Sequence, residues 1–91
     1  MNAMAITRES GHESIEEQRL RIMAFASFLG IHITDWHLLT EDNYGDIYEN
    51  LSKITAVIVT NLSLISKEIA TLDEFKMILH YNSVKLISMY S

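Results

Sequence analysis

Apolar residues along the chain fall into short runs that alternate with longer stretches in which they recur every three or four positions. Ala3–Thr7 (AMAIT) predicts a short buried strand. Ser14, with Glu17 three residues on, forms a capping box that opens a helix, and Gly30 supplies the stop. Ile31–Thr34 (IHIT) predicts a second strand, with Ile31 and Ile33 on one face and His32 and Thr34 on the other. Asn43 is a candidate N-cap for a second helix, whose apolar stripe is Ile47, Tyr48, Leu51 and Ile54. Ala56–Thr60 (AVIVT) predicts a third strand, β-branched and continuously apolar. Thr71 and Glu74 form a second capping box for a helix carrying Leu72, Phe75, Ile78 and Leu79, which Asn82 closes through a left-handed cap. Val84–Met89 (VKLISM) predicts the fourth strand.

The order βαβαβαβ predicts an α/β fold, a small open parallel sheet of four strands with three helices. The first and third strands are the most apolar, as strands covered on both faces must be. The second and fourth carry His32 and Lys85 in alternation, which suits edges. Strand order 2-1-3-4 satisfies both, with the first helix on one face and the other two opposite. The chain then reverses between the first and third strands, where open α/β sheets hold their ligands. The loops meeting there are Arg8–Glu13 and Asn61–Ala70.

Length and charge narrow the function. Ninety-one residues make a single domain spanning 1–91, and 48% apolar with 21% charged residues is a globular composition. Seven Lys and Arg against twelve Asp and Glu give a net charge of -5, which argues against unaided binding to duplex DNA. Cysteine is absent, which excludes disulfides, thiolate metal sites and a Cys nucleophile. No apolar run approaches the roughly 20 residues of a membrane span, and no secretory signal is visible, so a soluble, cytoplasmic chain is expected. His12, His32, His37 and His80 are scattered. Asp35-x-His37 is the one tight ligand-like pair, short of the three or four ligands a metal needs, so neither metal nor cofactor is expected. His12 stands close to Ser10, where it could tune a bound anion.

The first helix carries more apolar surface than one contact can use. From Ile22 to Leu29 only Ser27 is polar. Ile22, Phe25 and Leu29 form one set on the helical wheel, and Leu20, Met23 and Ala24 lie on the other side. One set packs on the sheet, and the other is expected to meet a partner. Ile22, Phe25 and Leu29 are assigned as that interface, in a homo-oligomer or with a foreign protein.

The loops carry a resemblance. The segment AITRESGHESIEEQRLRIMAFASFLGI resembles the opening of the resolvase/invertase serine recombinases, whose first strand ends in an Arg-x-Ser motif followed by a Ser-rich turn and a helix bearing a Gln. The segment ITAVIVTNLSLISKEIATLDEFKMILHYNSVKLISM is similar to their third strand, second motif, helix and fourth strand. The resemblance implies a resolvase-like fold, with Ser10 matching the nucleophile that attacks a DNA phosphodiester. Arg8 then matches the first arginine and Gln18 the glutamine of the first helix. The family's second motif, Leu-Asp-Arg-Leu-x-Arg, is altered here. Ser63 stands for the Asp, Leu64 for the first Arg and Lys67 for the second. Residues 40–53, where the family supplies another Arg, contain none. The chain ends at Ser91, so the family's long dimerising helix and DNA-binding domain are not expected.

Phosphoryl transfer spreads negative charge over oxygens that preorganised cations must stabilise, and losing one such donor costs roughly 10²–10³ in rate. Lysine offers a point charge at position 67 without arginine's bidentate fork. The expectation is therefore a degenerate, non-catalytic domain with a regulatory or accessory role, contacting protein partners, with DNA engaged only indirectly or weakly. Two alternatives stand beside it. One is a residual recombinase domain with Ser10 as nucleophile. The other is a small-anion or nucleotide-binding module, although no Gly-rich phosphate loop follows the first strand.

Overall fold

The two least polar runs of the chain lie side by side at the centre of the sheet. In a computed structural model, which describes residues 1–41 and 43–90, the strands are β1 (Asn2–Thr7), β2 (His32–Leu38), β3 (Ala56–Asn61) and β4 (Lys85–Tyr90). They form one sheet in the order β2-β1-β3-β4, and every pairing is parallel. The helices are α1 (Ile15–Leu29), α2 (Tyr44–Tyr48) and α3 (Ile69–Tyr81). Single 3-10 turns lie at Leu51–Lys53 and Leu62–Leu64. The sheet order and the α/β class match the expectation.

Alternation along β1 and β3 divides the core in two. Ala3, Ala5, Ala56 and Ile58 face α1, and these small residues let Ile22 and Ala26 of the helix sit close to the strands. Met4, Ile6, Val57 and Val59 face the other way, beneath Ile47, Leu51, Phe75 and Leu79. Tyr44 and Tyr48 flank Phe75 on that side, with ring centroids 6.2 and 6.0 Å away. One helix thus covers one face, and α2 and α3 cover the other.

The ends of α1 follow the sequence closely. Ser14 Oγ caps the helix by accepting from the Glu17 N–H at 3.1 Å and donates to the Glu17 carboxylate, so the two side chains bond directly at the cap. Gly30 closes the helix at φ 72°, a left-handed conformation that glycine adopts without a Cβ penalty.

Other details differ from expectation. β2 continues four residues beyond Thr34, because a bulge absorbs that residue: Ala3 pairs with Ile33 and Met4 with Asp35. The bulge resets the alternation, so Trp36 joins Ile33 on the α1 face. The second helix stops at Tyr48, and its stripe continues through a 3-10 turn with Leu51 and Ile54 still buried. Asn43 does not cap it by side chain; its Oδ1 accepts from the Thr40 N–H and its Nδ2 donates to the Leu38 carbonyl. α3 begins at Ile69, so Thr71 and Glu74 lie inside the helix and form no capping box. At its end Asn82 keeps φ -94°, with its Nδ2 donating to the Ile78 carbonyl, and Ser83 takes the left-handed turn at φ 58°.

The proposed interface set on α1 also divides. Ile22 is wholly buried against the sheet and Phe25 packs half-buried beside it, so they are core. The row turned to solvent is Leu20, Met23 and Phe28, with Leu29 half exposed at the helix end. The buried row is Gln18, Ile22 and Ala26, which sits close over the alanines of β1 and β3, and the bulkier row is left outside.

Candidate functional site

Parallel strands end at one edge of the sheet, so the loops after β1 and β3 meet there. They enclose a crevice of about 860 Å³, lined by Arg8, Glu9, Ser10, His12, Ser63, Leu64, Lys67 and Glu68, with Glu41 and Tyr44 on the α2 side. Arg8, Ser10 and Lys67 therefore share one site.

Its geometry is set by backbone contacts. The Arg8 guanidinium donates from Nη1 to the carbonyls of Leu64 (3.2 Å) and Ile65 (3.3 Å), which ties the first loop to the second. The Tyr44 hydroxyl also donates to the Ile65 carbonyl, so α2 is joined to the same point. Ser10 Oγ accepts from the His12 N–H at 3.2 Å, closing a tight serine turn at the mouth of the crevice. Lys67 is exposed on the opposite rim.

Gln18 is placed differently from the other three. It is fully buried beneath the loop and does not line the crevice. Its Oε1 accepts from the Arg8 N–H at 3.0 Å, and its Nε2 donates to the Arg8 carbonyl at 2.6 Å and the Glu13 carbonyl at 3.1 Å. The amide thus fixes the turn that carries Ser10 and positions it without touching anything bound there.

A second set of contacts was not foreseen. Thr60, buried at the end of β3, donates to Glu13 Oε1 at 2.9 Å, and Glu13 Oε2 pairs with Arg21 at 3.0 Å. Arg21 reaches on to the Tyr90 hydroxyl at 2.7 Å and lies over its ring. That hydrogen bond first, then the charges of Tyr90 and Glu13, raise the Arg21 pKa above its ordinary value. The chain ties the Ser10 loop to three elements. In the sequence its one hint was a Thr closing an otherwise apolar strand.

Leu64 is buried in the core below α3, where the resembling motif has an arginine. Among the charged residues of the crevice, Glu9, Glu41 and Glu68 outnumber Arg8 and Lys67. Among the described residues no group of three His, Asp or Glu is placed to hold a metal ion. No described helix is long and apolar enough to cross a membrane.

The same architecture recurs in solved structures. The N-terminal catalytic domain of TP901-1 integrase superposes with a TM-score of 0.85 at 22% identity, covering 98% of this chain and 77% of that one. A resolvase family site-specific recombinase from Streptococcus pneumoniae gives 0.85 at 20% identity, over 98% and 72%. The C-terminal catalytic domain of ISC1926 TnpA, an IS607-like serine recombinase, gives 0.85 at 12% identity, over 100% and 69%. No family model and no curated relative matches the chain. The protein has the resolvase-like fold of serine recombinase catalytic domains.

Proposed function

We propose that this chain is a degenerate serine-recombinase-like domain that does not cleave DNA and acts through protein contacts, as a regulatory or accessory module in a DNA-related process. One observation carries the reading: the crevice sets three carboxylates against two cations, and one of those cations, Arg8, already donates to two carbonyl oxygens. A phosphodiester entering there meets a site whose net charge matches its own sign. A serine hydroxyl also needs help to lose its proton, and among the described residues Ser10 Oγ meets a backbone N–H from His12 and no base.

The test is incubation of the chain with supercoiled and nicked DNA, followed by denaturing gels for a covalent protein–DNA adduct. No adduct is expected. An adduct that forms with the native chain and disappears in Ser10→Ala would establish the second reading, a residual recombinase domain with Ser10 as nucleophile. That reading is favoured by the gathering of Ser10, Arg8 and Lys67 at one crevice.

A further inference from the structure

The outer row of α1 has the shape and charge pattern of a surface that pairs with itself. Phe28 is 88% exposed and Leu20 67%, while Ala24 between them is also open to solvent. These three residues, spaced four apart, form one ridge along the helix: bulky, small, bulky. Eight residues separate its ends, roughly 12 Å. A ridge of this form fits a copy of itself turned end for end about a two-fold axis through Ala24. Each Phe28 then lies beside the Leu20 of the other copy, and the two Ala24 backbones approach closely at the centre. Met23 and Ser27 border the groove that receives the opposing ridge.

Charge selects the antiparallel arrangement. Glu16, Glu17, Arg19 and Arg21 all lie in the first half of the helix, and no charged residue occurs from Ile22 through Ile31. A parallel pair would stack Glu16 on Glu16 and Arg19 on Arg19, which is unfavourable at close range. An antiparallel pair sets each charged half against the partner's uncharged half, and brings Glu16 toward His32, the first residue of β2 after the helix end. Among the described residues α1 is the one helix on its face of the sheet.

We propose that α1 is the seat of a homodimer, with an antiparallel helix pair centred on Ala24. This rests on the reading that the chain works through protein contacts, and names a second copy as the partner. A single helix seam buries less than the roughly 800 Å² per partner of a standard interface, so dissociation in about the micromolar range is expected.

The absence of cysteine makes the geometry directly testable. Two Cys whose Cα atoms lie more than about 7 Å apart cannot be bridged without backbone movement. On oxidation of the full chain, Ala24→Cys should form a covalent dimer rapidly. Ser27→Cys, about 9 Å off its mate along the axis in the antiparallel arrangement, should not. Asp73→Cys, exposed on α3, measures random collision. Sedimentation over a concentration series should show dimerisation, weakened by about a hundredfold in Phe28→Asp with the far-UV circular dichroism unchanged. A chain that stays monomeric at high micromolar concentration would overturn the proposal. So would Ala24→Cys cross-linking no faster than Asp73→Cys, or Ser27→Cys cross-linking equally well, which indicates a parallel pair. A monomer would leave the absence of DNA cleavage untouched, and a covalent DNA adduct would leave the dimer untouched, so the two claims fail separately.

Discussion

Gln18 shows how a single buried amide shapes the candidate site from below. Its oxygen and nitrogen satisfy the N–H and carbonyl of Arg8 and the carbonyl of Glu13, groups that the turn would otherwise leave unpaired. Leaving a buried polar group unsatisfied costs about 1–3 kcal/mol. Gln18→Met keeps the volume and removes the bonds, so urea denaturation should show a loss of about 2–4 kcal/mol. Gln18→Glu should be worse near neutral pH, because an acceptor oxygen replaces the donor that faces two carbonyls. If Gln18→Met unfolded at the native urea midpoint, the clamp would have no energetic weight. Lys67 and Leu64 contrast in the same way. Lys67→Arg sits on an exposed rim and should change stability by less than about 0.5 kcal/mol. Leu64 packs in the core and also lines the crevice, so Leu64→Arg loses apolar packing while its guanidinium can reach the crevice, and should cost about 1–3 kcal/mol. Restoring the arginine of the resembling motif at that position therefore conflicts with the packing now built around Leu64.

At the scale of elements, the reliably legible features were those with a local physical cause. The N-cap at Ser14 and the glycine stop fixed α1 at both ends, and the contrast between apolar and mixed strands ordered the sheet. Gly30→Ala forces a Cβ into φ 72° and should cost about 1 kcal/mol, read as a lowered midpoint of thermal unfolding. Features set by tertiary contact were not legible. The Thr34 bulge depends on pairing with Ala3, and the early start of α3 overrides a capping signal two residues further on. The buried row of α1, Gln18, Ile22 and Ala26, packs on strands distant along the chain, so the helical wheel alone did not single it out. The crevice was half legible: Arg8, Ser10 and Lys67 come together as the motif implied, whereas the Thr60–Glu13–Arg21–Tyr90 chain rests on contacts up to 69 residues apart. On the α3 side, burial first, then Glu74 and Tyr44, raise the Tyr48 phenol above its ordinary 10.0. The stability contributed by the neutral phenol is thus complete below pH of about 10 and is lost as pH rises through the higher folded value. The fall in melting temperature above about pH 10 should be smaller in Tyr48→Phe than in the native chain. Equal alkaline slopes would show that Tyr48 ionises as freely in the fold as outside it.

The whole molecule adds a field to these local terms. A net charge of -5 surrounds a crevice whose own carboxylates outnumber its cations, so neither the overall nor the local charge draws in a polyanion. Proteins that grip DNA by its phosphates release counterions, and their binding strengthens steeply as salt falls. An acidic chain reverses that dependence, because the Debye length grows from ~8 Å at about 0.15 M to ~30 Å at about 0.01 M and exposes more of the repulsion. Titrating the histidines does not rescue attraction, since protonating all four leaves a charge of -1. The expected outcome is that the anisotropy of a labelled duplex stays flat on adding the chain at about 0.15 M salt, and stays flat at about 0.01 M. Binding that appears only on lowering salt would reveal a local cationic surface that the overall charge conceals. Binding independent of salt would require base or stacking contacts instead. Either result would make DNA a direct ligand of this chain.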